Sequence, residues 1–259
     1  SGEQHLLGSL SETLWHNSTL YFALISGLLF TRVLANKGWA AFFKSKFLNV
    51  FFPYALMTLI LTLFSFDRGG DFFQFEGAQL FIRRYATNLL LGTALLPYWY
   101  IPVLLCLFVL TPLLNFLIKA FPLSTAFLVG LPVLVSRSEV SVSVDSIIYC
   151  LGSYSAGMYF GVDYESKLRL MNKYRLIFLA IFAVTTLALV FFKESGNARV
   201  ATMLFQEPIF YVQKLSLAAI GLVLLGQYKE RLPEFFNHLA DHAFAIFFVH
   251  LIFVSWFTM

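Results

Sequence analysis

The chain has 259 residues, 59% hydrophobic and 18% aromatic, with a net charge of +4 and only 12% charged residues, about half the charged share of a soluble domain. That composition excludes intrinsic disorder, a coiled coil and an ordinary water-soluble domain, and the few, dispersed bases exclude a nucleic-acid-tracking face. The class that fits is an all-α, polytopic transmembrane helix bundle, one membrane-embedded domain over 1–259 with the lipid bilayer as its solvent.

A helix crosses the hydrocarbon with about 20 mainly apolar residues. Eight runs are candidates: 18–35, 47–66, 98–118, 120–135, 144–162, 176–192, 208–226 and 239–257. The fourth is short and the seventh contains Lys214. The piece 88–97 abuts Pro97 and is too short to span. It reads as interfacial, re-entrant or an extension of the third helix, so about 8–9 membrane segments are expected. Runs such as Ile101–Leu110 lack the alternation of a barrel strand.

Taken in chain order, Ser1 to His5 is polar and carries no cationic n-region of a signal peptide. His16, Asn17, Ser18 and Thr19 form a polar cluster at the head of the first span, where such residues favour a helix cap. The first loop holds Arg32, Lys37, Lys44 and Lys46. With Lys119, the run Lys167, Arg169, Lys173 and Arg175 (read as a solvated loop), and Lys229 and Arg231, it forms the base-rich set of alternate loops. The positive-inside rule makes that set cytoplasmic. Ser1 is then outside, and a further helix running inside to outside is expected before it. Tyr98, Trp99 and Tyr100 read as an interfacial aromatic belt or as a stacking surface. Cys106 and Cys150 lie in apolar runs and read as small buried hydrophobes. Lys214 either snorkels or pairs within the bundle, and His250, deep in the last span, marks a polar interior or an interhelical bond. No zinc spacing, His-Glu-x-x-His, Gly-x-Ser-x-Gly or P-loop occurs.

An ordered series of local patterns narrows the class. Tyr21-Phe22-Ala23-Leu24-Ile25-Ser26-Gly27-Leu28-Leu29-Phe30 lies in the first span. Phe42-Phe43-Lys44-Ser45-Lys46 then precedes Val50-Phe51-Phe52-Pro53-Tyr54, and Tyr98-Trp99-Tyr100-Ile101-Pro102 precedes Thr111-Pro112-Leu113-Leu114. Tyr154-Ser155-Ala156-Gly157-Met158-Tyr159 comes next, and Ala243-Phe244-Ala245-Ile246-Phe247-Phe248-Val249-His250 closes the series. From Tyr21 to His250 the chain resembles the membrane acyltransferase 3 family, which O-acylates cell-envelope sugars and related acceptors. It departs from the pattern where Lys44 and Lys46 replace a pair of arginines, and where His242-Ala243 replaces a small residue.

The resemblance implies an integral-membrane O-acyltransferase of about ten helices, multi-pass in a bacterial inner membrane. It implies acetyl-CoA or another acyl-CoA as donor substrate, a carbohydrate acceptor, no permanently bound cofactor and no metal. The family's first helix carries an Arg and the His taken as catalytic base. Nothing here matches it, so the resemblance places that base upstream of Ser1. Arg32, Lys44 and Lys46 are the candidates for the donor's phosphates, because basic side chains at the cytoplasmic mouth match that charge. Trp99, Tyr100, His250 and His16 are the candidates for lining the cavity, with His16 also facing an acceptor sugar. The rival reading is a polysaccharide or lipid-linked-sugar transporter or flippase, whose aromatic, proline-kinked helices have the same composition.

Overall fold

The structure is a computed structural model that describes residues 8–11, 13–14, 16–64, 78–135, 141–194, 201–228, 233–234 and 246. Its elements are helical: α1 Thr19–Leu29, continued by a π-turn Phe30–Leu34; α2 Trp39–Phe64, with a π-turn Phe47–Phe51 inside it; α3 Ala78–Leu91; and α4 Tyr100–Ala120. Then come α5 Pro122–Gly130, extended by a 3₁₀ turn Leu131–Leu134; α6 Val144–Gly161; α7 Tyr164–Lys173; α8 Arg175–Glu194; and α9 Ala201–Tyr228. Four helices among the described residues are long and apolar enough to cross a membrane: Trp39–Phe64, Tyr100–Ala120, Arg175–Phe192 and Gln206–Tyr228. Thr19–Leu34 and Leu123–Leu134 are apolar but shorter. The expected last span, 239–257 with His250, lies outside the described residues apart from Ile246.

Small residues bring the backbones of α1 and α6 into contact. A Cβ at Gly157 would collide with the Leu24 carbonyl, one at Gly27 with the Tyr154 carbonyl, and one at Gly161 with Thr31. Gly157 and Gly161 form a Gly-x-x-x-Gly pair, the spacing that lets two membrane helices approach closely. The two helices run parallel, since Asn17 meets Tyr149 while Thr31 meets Gly161. α6 is the central post, buried on several faces through Ser146, Tyr149, Cys150, Ser153, Tyr154, Ser155 and Met158. That explains why it is not among the most apolar helices: a post shielded by protein needs no lipid-compatible surface, and its serines and tyrosines can face neighbours.

The directions of the other helices are fixed by their contacts. α4 runs parallel to α6, with Phe22 near Tyr100 and Thr111 bonded to Tyr154. α2 runs the opposite way, from Phe42 beside Phe30 to Tyr54 beside Tyr98. α9 descends from Glu207 near Asn17 to Gly226 against Leu168, and α8 returns beside it with Thr186 on Gln213.

Several local expectations change. The piece 88–97 is not a unit, because Asn88–Leu91 ends α3, and Gly92, at φ +64°, turns the chain so tightly that a Cβ there would strike the backbone of Tyr98 and Trp99. The Tyr54 hydroxyl fixes that corner by donating to the carbonyls of Asn88 at 3.1 Å and Leu89 at 2.8 Å. Lys167 to Arg175 is not an open loop: it forms α7 and the first residue of α8. Cys150 is buried as expected, whereas Cys106 is exposed on the outer face of α4.

Candidate functional site

An aromatic file runs inward from the Arg32 end of the bundle. Trp39 stacks on Phe30 at 5.6 Å, Phe30 meets Phe42 at 5.1 Å, Phe42 meets Phe108 at 5.9 Å, and Phe108 meets Tyr154 at 6.3 Å. Lys46 lies on this file. Its ammonium sits 4.5 Å from the Phe108 ring centre and 5.7 Å from that of Phe42. Ring quadrupoles attract a cation there and partly replace the water it loses. Among the described residues no carboxylate forms an ion pair with it.

Local backbone features aim these groups. Lys46 is the residue before the π-turn Phe47–Phe51. One extra residue in a turn rotates the later part of a helix relative to the earlier part, which lets Lys46 face inward while Val50 and Tyr54 still face the core. Pro112 lacks the N–H that would bond the Phe108 carbonyl, and Thr111 beside it donates to or accepts from Tyr154 at 2.8 Å. The result is a polar contact beside an ammonium, inside an apolar bundle.

The candidate residues separate. Arg32 is exposed and stacks over Tyr164 at 4.3 Å, and Lys44 is exposed on the outer side of α2, so only Lys46 of the three donor candidates turns inward. Tyr98, Trp99 and Tyr100 are all buried, which excludes the lipid-facing belt expected of them. Trp99 and Tyr100 meet edge to face at 6.0 Å. His250 lies outside the described residues.

His16 takes no part in the Lys46 group. Its Nε2 lies 3.5 Å from Glu207 Oε1, and its ring lies 4.5 Å from that of Phe210. The neighbouring Asn17 amide donates to Glu207 Oε2 at 2.8 Å and to the Tyr149 hydroxyl at 3.1 Å. The expected cap is not formed, since Ser18 at the N-cap of α1 makes no side-chain cap bond. Lys214 is paired and does not snorkel: it is buried and donates to the carbonyls of Thr13 at 3.0 Å and Leu14 at 2.8 Å.

Sequence reasoning missed Glu207 and Tyr149. Their one local signal was a carboxylate next to Pro208 at the head of an apolar run; nothing along the chain links it to His16, 191 positions away. Among the described residues no group of His, Cys, Asp and Glu is arranged to hold a metal ion.

At the Arg32 end, Lys167 crosses back onto α6 and donates to the carbonyls of Tyr159 and Val162, with its ammonium 3.6 Å from the Tyr159 ring centre. Loss of water pushes its pKa below the ordinary lysine value, and Asp163 opposes part of that shift. Burial raises the Tyr164 hydroxyl while Arg32 draws it down.

Fold and site together define an integral-membrane helix bundle with a cation held among aromatic rings in its interior. A family model described as an acyltransferase domain matches residues 19–259, and the chain belongs to that family, the membrane acyltransferase 3 family. No curated protein and no solved structure matches it.

Proposed function

We propose that the protein transfers an acyl group, acetyl, from acyl-CoA to a hydroxyl of a cell-surface or exported carbohydrate, in a bacterial inner membrane. The reaction exchanges a thioester for an ester. The acceptor oxygen bonds to the acyl carbon, the carbon–sulfur bond breaks, and the hydroxyl proton ends on the coenzyme A thiol. Membership of the acyltransferase family supports the reaction class.

The observation that carries the choice of donor is Lys46, an ammonium turned into the bundle over Phe108 and Phe42 without a described carboxylate. A cation inside a membrane bundle marks a functional position, and an acyl-CoA brings the phosphates that complement it. Trp99 and Tyr100 belong to the same core as Phe42 and Phe108 and are assigned to the wall of the donor chamber. Arg32 and Lys44, both exposed, are assigned to the approach.

Membranes containing the protein, incubated with labelled acetyl-CoA, test the proposal through label appearing in glycan or glycolipid. Lys46→Met is expected to raise the half-saturating acetyl-CoA concentration about tenfold or more, as loss of a charge-assisted phosphate contact does. Lys46→Arg should restore most of it. No label in any carbohydrate from the wild-type protein sinks the proposal.

A further inference from the structure

At the Arg32 end, α7 lies against the last turns of α9. Leu168 and Met171 pack toward α9, Leu168 fills the space that Gly226 leaves, and the Gln227 amide donates to Asn172 Oδ1 at 3.0 Å. These contacts hold the helix in one rotation. Arg169 and Lys173, four positions apart, then share its opposite, exposed side, about 40° apart around the axis and about 6 Å along it. Arg175 follows as the first residue of α8 and is exposed as well.

Three cations thus gather where α7 meets α8, and like charges at helical spacing repel. The nearby acids do not neutralise them. Asp163 acts on Lys167, which is already engaged by the carbonyls of Tyr159 and Val162. Glu165, a turn before Arg169, forms no ion pair with it among the described residues. Apolar surface adjoins the charges: Leu170 and, on α8, Leu176 and Ile177 are exposed, Leu176 to 72%. Of the four helices able to span the membrane, α8 is the least covered by protein. Lipid chains therefore cover its outer face, and basic side chains at the end of such a span reach the level of the headgroups.

We propose that Arg169, Lys173 and Arg175 form a headgroup site for an anionic phospholipid whose acyl chains lie along Leu176 and Ile177 of α8. Charge complementarity selects the occupant: a zwitterionic headgroup brings no net charge, whereas an anionic lipid surface strengthens attraction about fivefold for each Lys or Arg beside it. A lipid phosphate seated here ties α7 to α8 at a corner where the cations otherwise repel one another. The site is distinct from the Lys46 group, which α2, α4 and α6 build, and it does not rest on the acyl-transfer reading.

The test reconstitutes the full protein in phosphatidylcholine membranes doped with phosphatidylglycerol or phosphatidylcholine carrying a diazirine high on one acyl chain. Cross-linked peptides are then mapped by mass spectrometry. Peptides covering 170–179 of the wild type are expected to capture the anionic lipid about tenfold over the zwitterionic one. The exposed face of α4 at Val109 and Leu113 is the internal reference, with a ratio near unity. Arg169→Gln, Lys173→Gln and Arg175→Gln combined should bring the ratio at 170–179 to the reference, while Arg169→Lys with Arg175→Lys should keep it. Coenzyme A or inorganic phosphate that abolishes the wild-type preference, at matched ionic strength, assigns the cations to a soluble phosphate ligand and overturns the lipid site. A wild-type ratio no higher than the reference overturns it without any variant, and decides the matter if the triple variant does not fold. A preference that the folded triple variant retains also overturns it. The acyl-transfer reading stands or falls separately, on label in carbohydrate.

Discussion

The Lys167 ammonium lies against the carbonyls of Tyr159 and Val162, where α6 ends with acceptor groups that have no partner in their own helix. A cation at that end also complements the helix dipole. The position costs the ammonium water, and the neutral amine is favoured more than in a free lysine. A lowered folded-state pKa means that protonation is favoured less in the folded protein than in the unfolded chain. Amine-reactive labelling of Lys167, followed by peptide mass spectrometry, should therefore reach half its maximal rate below the ordinary lysine pKa of about 10.4. A midpoint at or above that value would show that the charge is not desolvated. Lys46 illustrates how far sequence reaches at this scale. Its charge and its place near Phe42 are legible, but its inward direction depends on the π-turn after it, and no local residue preference announces that turn.

At the scale of the element, the α1–α6 pair rests on glycine. Gly27, Gly157 and Gly161 each face backbone or side-chain atoms of the opposite helix that a Cβ would strike. Gly157→Leu should therefore push the helices apart and destabilise the protein by about 1–3 kcal/mol or more, seen as a lower thermal midpoint in detergent. The same change at Gly221, where a Cβ meets nothing within 4 Å, should shift the midpoint little. An equal effect at both positions would refute the close-packing account. The helical class and the most apolar spans are legible because lipid demands long apolar runs. α6 is legible as a segment but not as the centre: its serines, tyrosines and glycines lower its hydropathy, and only the contacts show that protein covers it. The short α7 resembles a loop along the chain because its charges are those of a solvated connection, while Leu168 and Met171, which face α9, are too few to form a visible stripe.

For the whole molecule, the helix directions gather the basic residues at one end. α1 ends near Arg32, α2 begins beside it, α4 ends just past Lys119, and α7 carries Lys167, Arg169 and Lys173. The opposite end holds Asp145 and Glu207 with Arg83 and Arg84. The positive-inside rule counts Lys and Arg in short loops and puts the richer end in the cytoplasm. The Arg32 end should therefore face the cytoplasm and the His16 end should face outward, which gives the proposed acyl-CoA donor and the proposed carbohydrate acceptor access from opposite sides. Thr93 stands just after α3 and Ser141 just before α6, both at the His16 end, whereas Lys173 closes α7 at the other. Thr93→Cys, Ser141→Cys and Lys173→Cys, each in a background lacking Cys106 and Cys150, test the orientation with a membrane-impermeant maleimide. In intact cells or spheroplasts the cysteines at 93 and 141 should be labelled, and that at 173 only after the membrane is opened. Labelling at 173 in sealed cells, with 93 and 141 silent, would invert the molecule. Acyl-CoA would then have to reach Lys46 from outside, where the cell keeps none, and the assignment of the donor site would fall with the orientation.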